Sequence, residues 1–361
     1  MRRLAPPLLA FAGLQLLIAL VAHWCGFDAF STSTWSRWDS GLYLSIAQGG
    51  YHLEHCGPLS GHPASAYCGN AGWFPGYPWL IRILVAAGLR IDIAAMAIPL
   101  VCHLLALVAF WRMFSASPFA LALACVFPGT IYLHALFPIA PLVLCTLLVL
   151  SSFSTGHYRF AAVFACAAAT LYPTGFVPAF AIALLAAVRR DRALLRGAAW
   201  VLVGSLIGVA LVLVSQHAAI GVWDGYFKAH AVYGQGIHNP LDSLLARWKP
   251  LVNPRYRDEK GVWTALQSVA VFLLLASIAR RSKAIWRQGT LWQLMLIYGF
   301  TTWLIPLIAG GTTSTYRPDA LLLPLAALVP GTPKAAFAAF IVVFLILFIA
   351  MERLFLLSIL V

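Results

Sequence analysis

Charge is what this chain has least of. Of its 361 residues only 10% are Asp, Glu, Lys or Arg, against roughly a quarter in an ordinary soluble domain. Acids are the scarcer half, 11 against 24 bases, while 62% of residues are hydrophobic. A water-soluble fold of this length could not cover itself with so little polar surface. Several motifs are missing as well. There is no Walker A sequence and no Rossmann glycine pattern, which argues against nucleotide hydrolysis, and no Ser-His-Asp elbow. The chain has no Asn-x-Ser/Thr sequon, a pointer away from the endoplasmic reticulum. It has no low-complexity tract, no long soluble domain and no internal repeat of the kind many transporters carry. No small-residue cleavage pattern follows the first apolar stretch, which is therefore expected to anchor the chain.

What is present is a series of apolar stretches approaching the twenty or so residues that a spanning helix needs. They run Leu4 to Trp24, Ile93 to Trp111, Pro118 to Leu133, Phe137 to Phe153, Phe160 to Leu171, Thr174 to Val188, Gly197 to Val214, Val262 to Ala279, Leu291 to Ala309, Pro318 to Leu328 and Ala335 to Met351. The expected fold is an all-α polytopic membrane protein, a single domain over 1–361 with about eleven transmembrane helices. Several stretches are short and must be tilted, broken at proline or buried in protein. Basic residues of short loops mark the cytoplasmic side. Starting from Arg2 and Arg3, alternate connections carry Arg112, then Arg159, then Arg189, Arg190, Arg192 and Arg196, then Arg280, Arg281, Lys283 and Arg287, then Lys334. The intervening connections face outward; the two long ones are 25–92 and 215–261. Topogenesis accounts for much of the net charge of +13, with no need for nucleic acid as a partner.

Of seven cysteines, Cys102, Cys125, Cys145 and Cys166 fall inside expected helices, where free Cys is a small hydrophobe. Cys56 and Cys68 share the first outer loop, and a disulfide would suit an oxidising compartment, although spacing alone does not bring two thiols together. His52, Glu54, His55 and His62 in the same loop match no strong zinc pattern, so no metal site is assigned. Nothing in the sequence requires a cofactor, and no motif supports a divalent cation.

The first outer loop carries the strongest chemical signal, Arg37-Trp38-Asp39-Ser40-Gly41-Leu42-Tyr43 and, further on, Gly72-Trp73-Phe74-Pro75-Gly76-Tyr77-Pro78. Leu42, Ile46 and Ala47 suit a short helix along the membrane, started at Asp39 or Ser40 and stopped by Gly49-Gly50. Tyr77 to Leu89 reads as a second membrane-embedded helix. Asp39 then sits where bilayer meets water, either as a plain helix cap or as a reactive carboxylate.

The run Arg37-Trp38-Asp39, with Tyr43, Ile46-Ala47, Gly50-Tyr51 and Phe74-Pro75-Gly76-Tyr77-Pro78, resembles the PIG-V family of mannosyltransferases, members of the GT-C membrane glycosyltransferases. The likeness is sharp over about the first eighty residues and diffuse beyond. It implies a GT-C-like bundle, Asp39 as catalytic base, and a polyprenyl-phosphate sugar, most simply mannose, as donor. The acceptor would be a glycan, glycolipid or protein, and the product an inverted linkage made at the outer face of a bacterial inner membrane. Trp38, Tyr43 and Tyr77 are candidate substrate contacts within this run. Two departures stand out. The family shows an acidic residue where this chain has Tyr132-Leu133-His134, and an arginine before a Pro-Thr-Gly run where this chain has Tyr172-Pro173-Thr174-Gly175. His134 and Tyr172 are therefore candidate contacts of altered chemistry.

A donor phosphate calls for a cation. Arg317, in Thr312-Thr313-Ser314-Thr315-Tyr316-Arg317-Pro318-Asp319, can grip phosphate through two parallel hydrogen bonds, with Tyr316 and nearby hydroxyls adding more; the alternative is a pair with Asp319. Arg37 is the second candidate cation, or else holds Asp39 in place. In the second outer loop aromatics alternate with polar groups, as a sugar site needs and as any interfacial belt contains. Tyr226, Lys228, His230, Tyr233 and His238 are its candidates. Arg247, Lys249, Arg255, Arg257 and Lys260 break the basic-inside pattern and suit anionic lipid headgroups or a solvated loop. The rival readings are a lipid or solute transporter, which predicts ionisable residues within the spans, and a noncatalytic membrane scaffold of the same fold.

Overall fold

The computed structural model describes residues 4–58, 61–234, 236–310, 314 and 316–360. Arg2, Arg3 and the hydroxyls of Thr312, Thr313 and Thr315 lie outside them. The helices are α1 Ala5–Trp24, α2 Thr32–Trp35, α3 Asp39–Gly49, α4 Gly76–Ala86, α5 Ile91–Met113, α6 Pro118–Cys125, α7 Ile139–Ser154 and α8 Tyr158–Leu171. There follow α9 Val177–Arg189, α10 Arg192–Ile220, α11 Gly225–His230, α12 Pro240–Val252, α13 Glu259–Arg280, α14 Ser282–Trp286, α15 Thr290–Ile308 and α16 Lys334–Leu356. One antiparallel hairpin, β1 Leu53–His55 with β2 Tyr67–Gly69, pairs Glu54 with Cys68.

Six of these, α1, α5, α10, α13, α15 and α16, are long and apolar enough to cross a membrane. Their outward faces are bare hydrocarbon, as at Leu9, Leu16 and Leu20 of α1 and Leu206 of α10. Such faces would be costly in water and cost nothing in lipid, so the molecule is an integral membrane protein. The remaining passes are shorter or broken, which explains stretches too short for a regular span. The clearest is Pro318–Gly331, a 3-10 helix of 14 residues. At about 2.0 Å rise per residue it covers about 28 Å, close to a bilayer core, where an α-helix of equal length would stop near 21 Å. Ala320 through Leu323, Leu325, Ala326, Leu328 and Val329 are all buried. Strained backbone at membrane depth survives because protein, and not lipid, surrounds it.

Helices α8 and α10 pack closely because Gly204 and Gly208, four apart on α10, lie against the carbonyls of Ala162 and Cys166, leaving no room for a Cβ. At one end of the bundle, Arg281 donates to the Leu328 carbonyl and Arg189 to Gln293. The other end gathers all five connections expected to share a side. Leu136 N–H donates to the Trp35 carbonyl, Gln216 to that of Ala71 and His238 N–H to that of Ile308, and Arg317 meets Asp39. One missed or invented pass would have separated them.

Candidate active site

The first long loop is built to hold one carboxylate. Asp39 is the first residue of α3, and Trp38 before it adopts φ 44, ψ −111, a conformation rare outside glycine and costing of order 1–3 kcal/mol. That turn aims Asp39 inward, and it persists because the loop is tied elsewhere. Arg82 of α4 donates to the carbonyls of Ile46 and Ala47, closing the C-terminal end of α3. Asn70, fully buried, donates to Ser45 Oγ and the Gly50 carbonyl and accepts from His52 N–H. Tyr51 Oη donates to the Trp73 carbonyl, and the Cys56–Cys68 disulfide closes the hairpin tip.

Asp39 opens onto a cavity of about 390 Å³. Its carboxylate is paired with Arg317, which lies 278 residues along the chain. The guanidinium is buried over the rings of Tyr132 (5.5 Å) and Phe137 (5.2 Å). Burial opposes its charge, but the Asp39 carboxylate together with the phenols of Tyr132, Tyr172 and Tyr316 outweighs this and holds Arg317 above its usual range. Asp319 is not its partner. Gln267 of α13 donates to Asp319 Oδ2 (2.7 Å) and to the Tyr316 carbonyl (3.0 Å), which pins the backbone beside Arg317. Gly129, at φ +83, lets the α6–α7 connection approach Ala320 closely.

Trp38, Tyr43, Tyr172, His230 and Tyr233 all line this cavity. Half-buried His230 sits against Gly72, where a Cβ would lie 2.9 Å from its Nε2. A carbonyl can only accept, so Nε2–H donates to the Gly72 carbonyl (2.8 Å) and Nδ1 is the unprotonated nitrogen. Burial pushes this imidazole below its ordinary value, although Gly72 and Asp39 pull it back in part.

Other candidates lie off the cavity. Tyr77 is buried behind Tyr43 and donates to the Ala95 carbonyl. His134 is buried edge-on to Trp35 at 4.3 Å, with both ring nitrogens unpartnered. Lys228 is spent on Asp224 at 3.0 Å and on the Tyr67 ring. His238 packs against Gly310 at the rim, and Tyr316 lies beside Tyr132. Arg37 does not line the cavity. It covers the Phe27 ring and donates to the Leu356 carbonyl, capping the C-terminal end of α16. Sequence reasoning missed Tyr132 and Phe137 beneath Arg317, and also Asn70 and Gln267. It quoted Trp73 without assigning it a role, yet Trp73 lines the cavity.

No protein-family model matches the chain, and no curated protein sequence does. Its fold does have a solved counterpart. The crystal structure of ArnT from Cupriavidus metallidurans bound to undecaprenyl phosphate superposes with a TM-score of 0.57 over 92% of this chain, at 13% identity. The match covers 62% of the ArnT chain. The chain thus shares the fold of ArnT, an all-α polytopic membrane bundle.

Proposed function

We propose that this protein is a GT-C glycosyltransferase that moves a sugar from a polyprenyl-phosphate donor to an acceptor hydroxyl. The observation that carries the reading is the meeting of Asp39 and Arg317 in one cavity, a base and a phosphate-binding cation on elements far apart in sequence. Support for a lipid-phosphate donor comes from ArnT, which shares the fold and was crystallised with undecaprenyl phosphate. Mannose as the sugar rests on the resemblance of the first eighty residues to PIG-V proteins.

The chemistry needs little more. The acceptor O–H gives its proton to Asp39 as its oxygen bonds to the anomeric carbon. The bond from that carbon to the phosphate oxygen breaks on the opposite face, and polyprenyl phosphate leaves with the electron pair, its charge held by Arg317. One displacement inverts the anomeric centre. Trp38, Tyr43, Tyr172, His230 and Tyr233 surround the reacting groups with rings and neutral polar atoms suited to a pyranose. The basic residues of the opposite end suit a cytoplasmic face, which would turn the cavity outward from a bacterial inner membrane.

The test is direct. Purified protein supplied with radiolabelled polyprenyl-phosphate mannose and candidate acceptors should form a glycoside, and Asp39→Asn should lose that activity. Donor movement across the bilayer without glycoside formation would instead favour a transporter.

A further inference from the structure

The second long loop holds a surface that the transfer reaction does not use. Helix α12 is fixed along one side: Leu244 is buried, Trp248 Nε1–H donates to Ser268 Oγ, and Arg247 donates to the Pro306 carbonyl at 3.2 Å. The adjoining face leaves Leu241, Leu245 and Val252 bare, 59%, 51% and 81% exposed. At 3.6 residues per turn these three fall within about 40° of arc, so they form one apolar stripe.

Beside that stripe stand bases that pair with no acid; the one acid of residues 237–257, Asp242, is exposed and joins none of them. Lys249, Arg255 and Arg257 are exposed, and among the described residues none has a carboxylate partner. Lys249 lies over the Tyr256 ring, and Arg257 reaches only the Leu251 carbonyl. Two nearby carboxylates are already engaged: Glu259 pairs with Arg353, and Asp258 accepts from Gly261 N–H to cap α13. Nor does topogenesis explain these bases, because they sit at the end of the bundle away from the basic short loops. An apolar stripe flanked by unpaired cations is the pattern of a helix lying in a membrane interface.

We infer that residues 237–257 form an interfacial arm that binds the phosphate headgroups of anionic phospholipids, with Leu241, Leu245 and Val252 in the acyl layer and Lys249, Arg255 and Arg257 on the phosphates. The arm also touches the cavity wall. Arg247 and His238 N–H take the carbonyls of Pro306 and Ile308 at the end of α15, as Gly236 N–H just before the arm takes that of Ala309, and Pro306 and Ala309 line the cavity. Lipid held by the arm therefore steadies one side of the site.

The test is native mass spectrometry of the full chain in micelles containing equal phosphatidylglycerol and phosphatidylcholine, without sugar donor, so that it stands apart from the transferase reading. Wild type should retain phosphatidylglycerol preferentially and lose that preference as salt rises. The exposed-residue variant K249Q/R255Q/R257Q should retain it roughly tenfold less well or worse. An unchanged preference in the variant would overturn the inference, as would retention indifferent to salt. So would a soluble polyanionic glycan binding the same three bases with no preference between lipids.

Discussion

The two long loops reach the same cavity by different means. The first, 25–90, is held largely by itself. Asn70, Arg82, Tyr51 and the Cys56–Cys68 disulfide tie its segments to one another, and Asp39 is presented from that frame. The second, 221–258, is held by what it touches. His230 leans on the Gly72 carbonyl of the first loop, while Gly236, His238 and Arg247 take the open carbonyls at the end of α15. The Asp39 carboxylate thus stands on a self-supporting scaffold, and the wall opposite it is a strap between two neighbours. Position of that carboxylate and shape of the pocket are separable properties.

That separation can be broken by kinetics. Asp39→Asn should lower kcat for transfer by roughly 10² to 10⁴, the usual contribution of a positioned base. His230→Ala should act mainly on KM for the acceptor, by about tenfold or less. A kcat loss from His230→Ala equal to that from Asp39→Asn would mean that the two loops are not distinct in function. Stability sharpens the contrast. Asn70→Ala leaves the Gly50 carbonyl and His52 N–H without their partner and should destabilise the protein by about 1–3 kcal/mol, read as a lower thermal midpoint. The exposed-base variant K249Q/R255Q/R257Q should shift that midpoint little in neutral detergent.

How much of this was legible in the sequence depended on how local the signal was. Asp39 could be found because the helix it starts, Leu42, Ile46, Ala47 and the Gly49-Gly50 stop, lies next to it. Arg317 could be found as a cation directly before a proline-opened apolar run. Pro318 to Leu328 read as too short because an α-helical rise was assumed where the chain winds as a 3-10 helix. Tyr132 and Phe137 were illegible as parts of the site, since they come from a broken pass with no periodic pattern and act by lying beneath a guanidinium from elsewhere. The partners of Lys228 and Arg37 were equally illegible, because a cation's partner cannot be read from its charge. One is spent on Asp224 one turn away, the other on the end of the last helix.

The smallest expected effect concerns pH. Burial keeps His230 neutral, so its folded value lies below the unfolded value near 6.5. The unfolded chain then takes up the proton first as pH falls. The stability this contact contributes is complete above about pH 6.5 and is lost as the solution is acidified through the folded value. The gap between the thermal midpoints of wild type and His230→Gln should narrow on going from neutral to acidic buffer. A gap that widens would mean that the charged imidazole is the form the fold prefers.

In the proposed reaction Asp39 and Arg317 form one site, and the donor phosphate must take the guanidinium from the carboxylate. Binding of polyprenyl phosphate to purified Asp39→Asn tests this most directly, with Arg317→Ala as the control that should bind poorly. Removing the competing carboxylate should leave the affinity as high as in wild type or raise it by up to about tenfold, even though transfer is lost. Binding by Asp39→Asn as weak as by Arg317→Ala would contradict the account, because the carboxylate would then be holding the site together and not waiting for a proton.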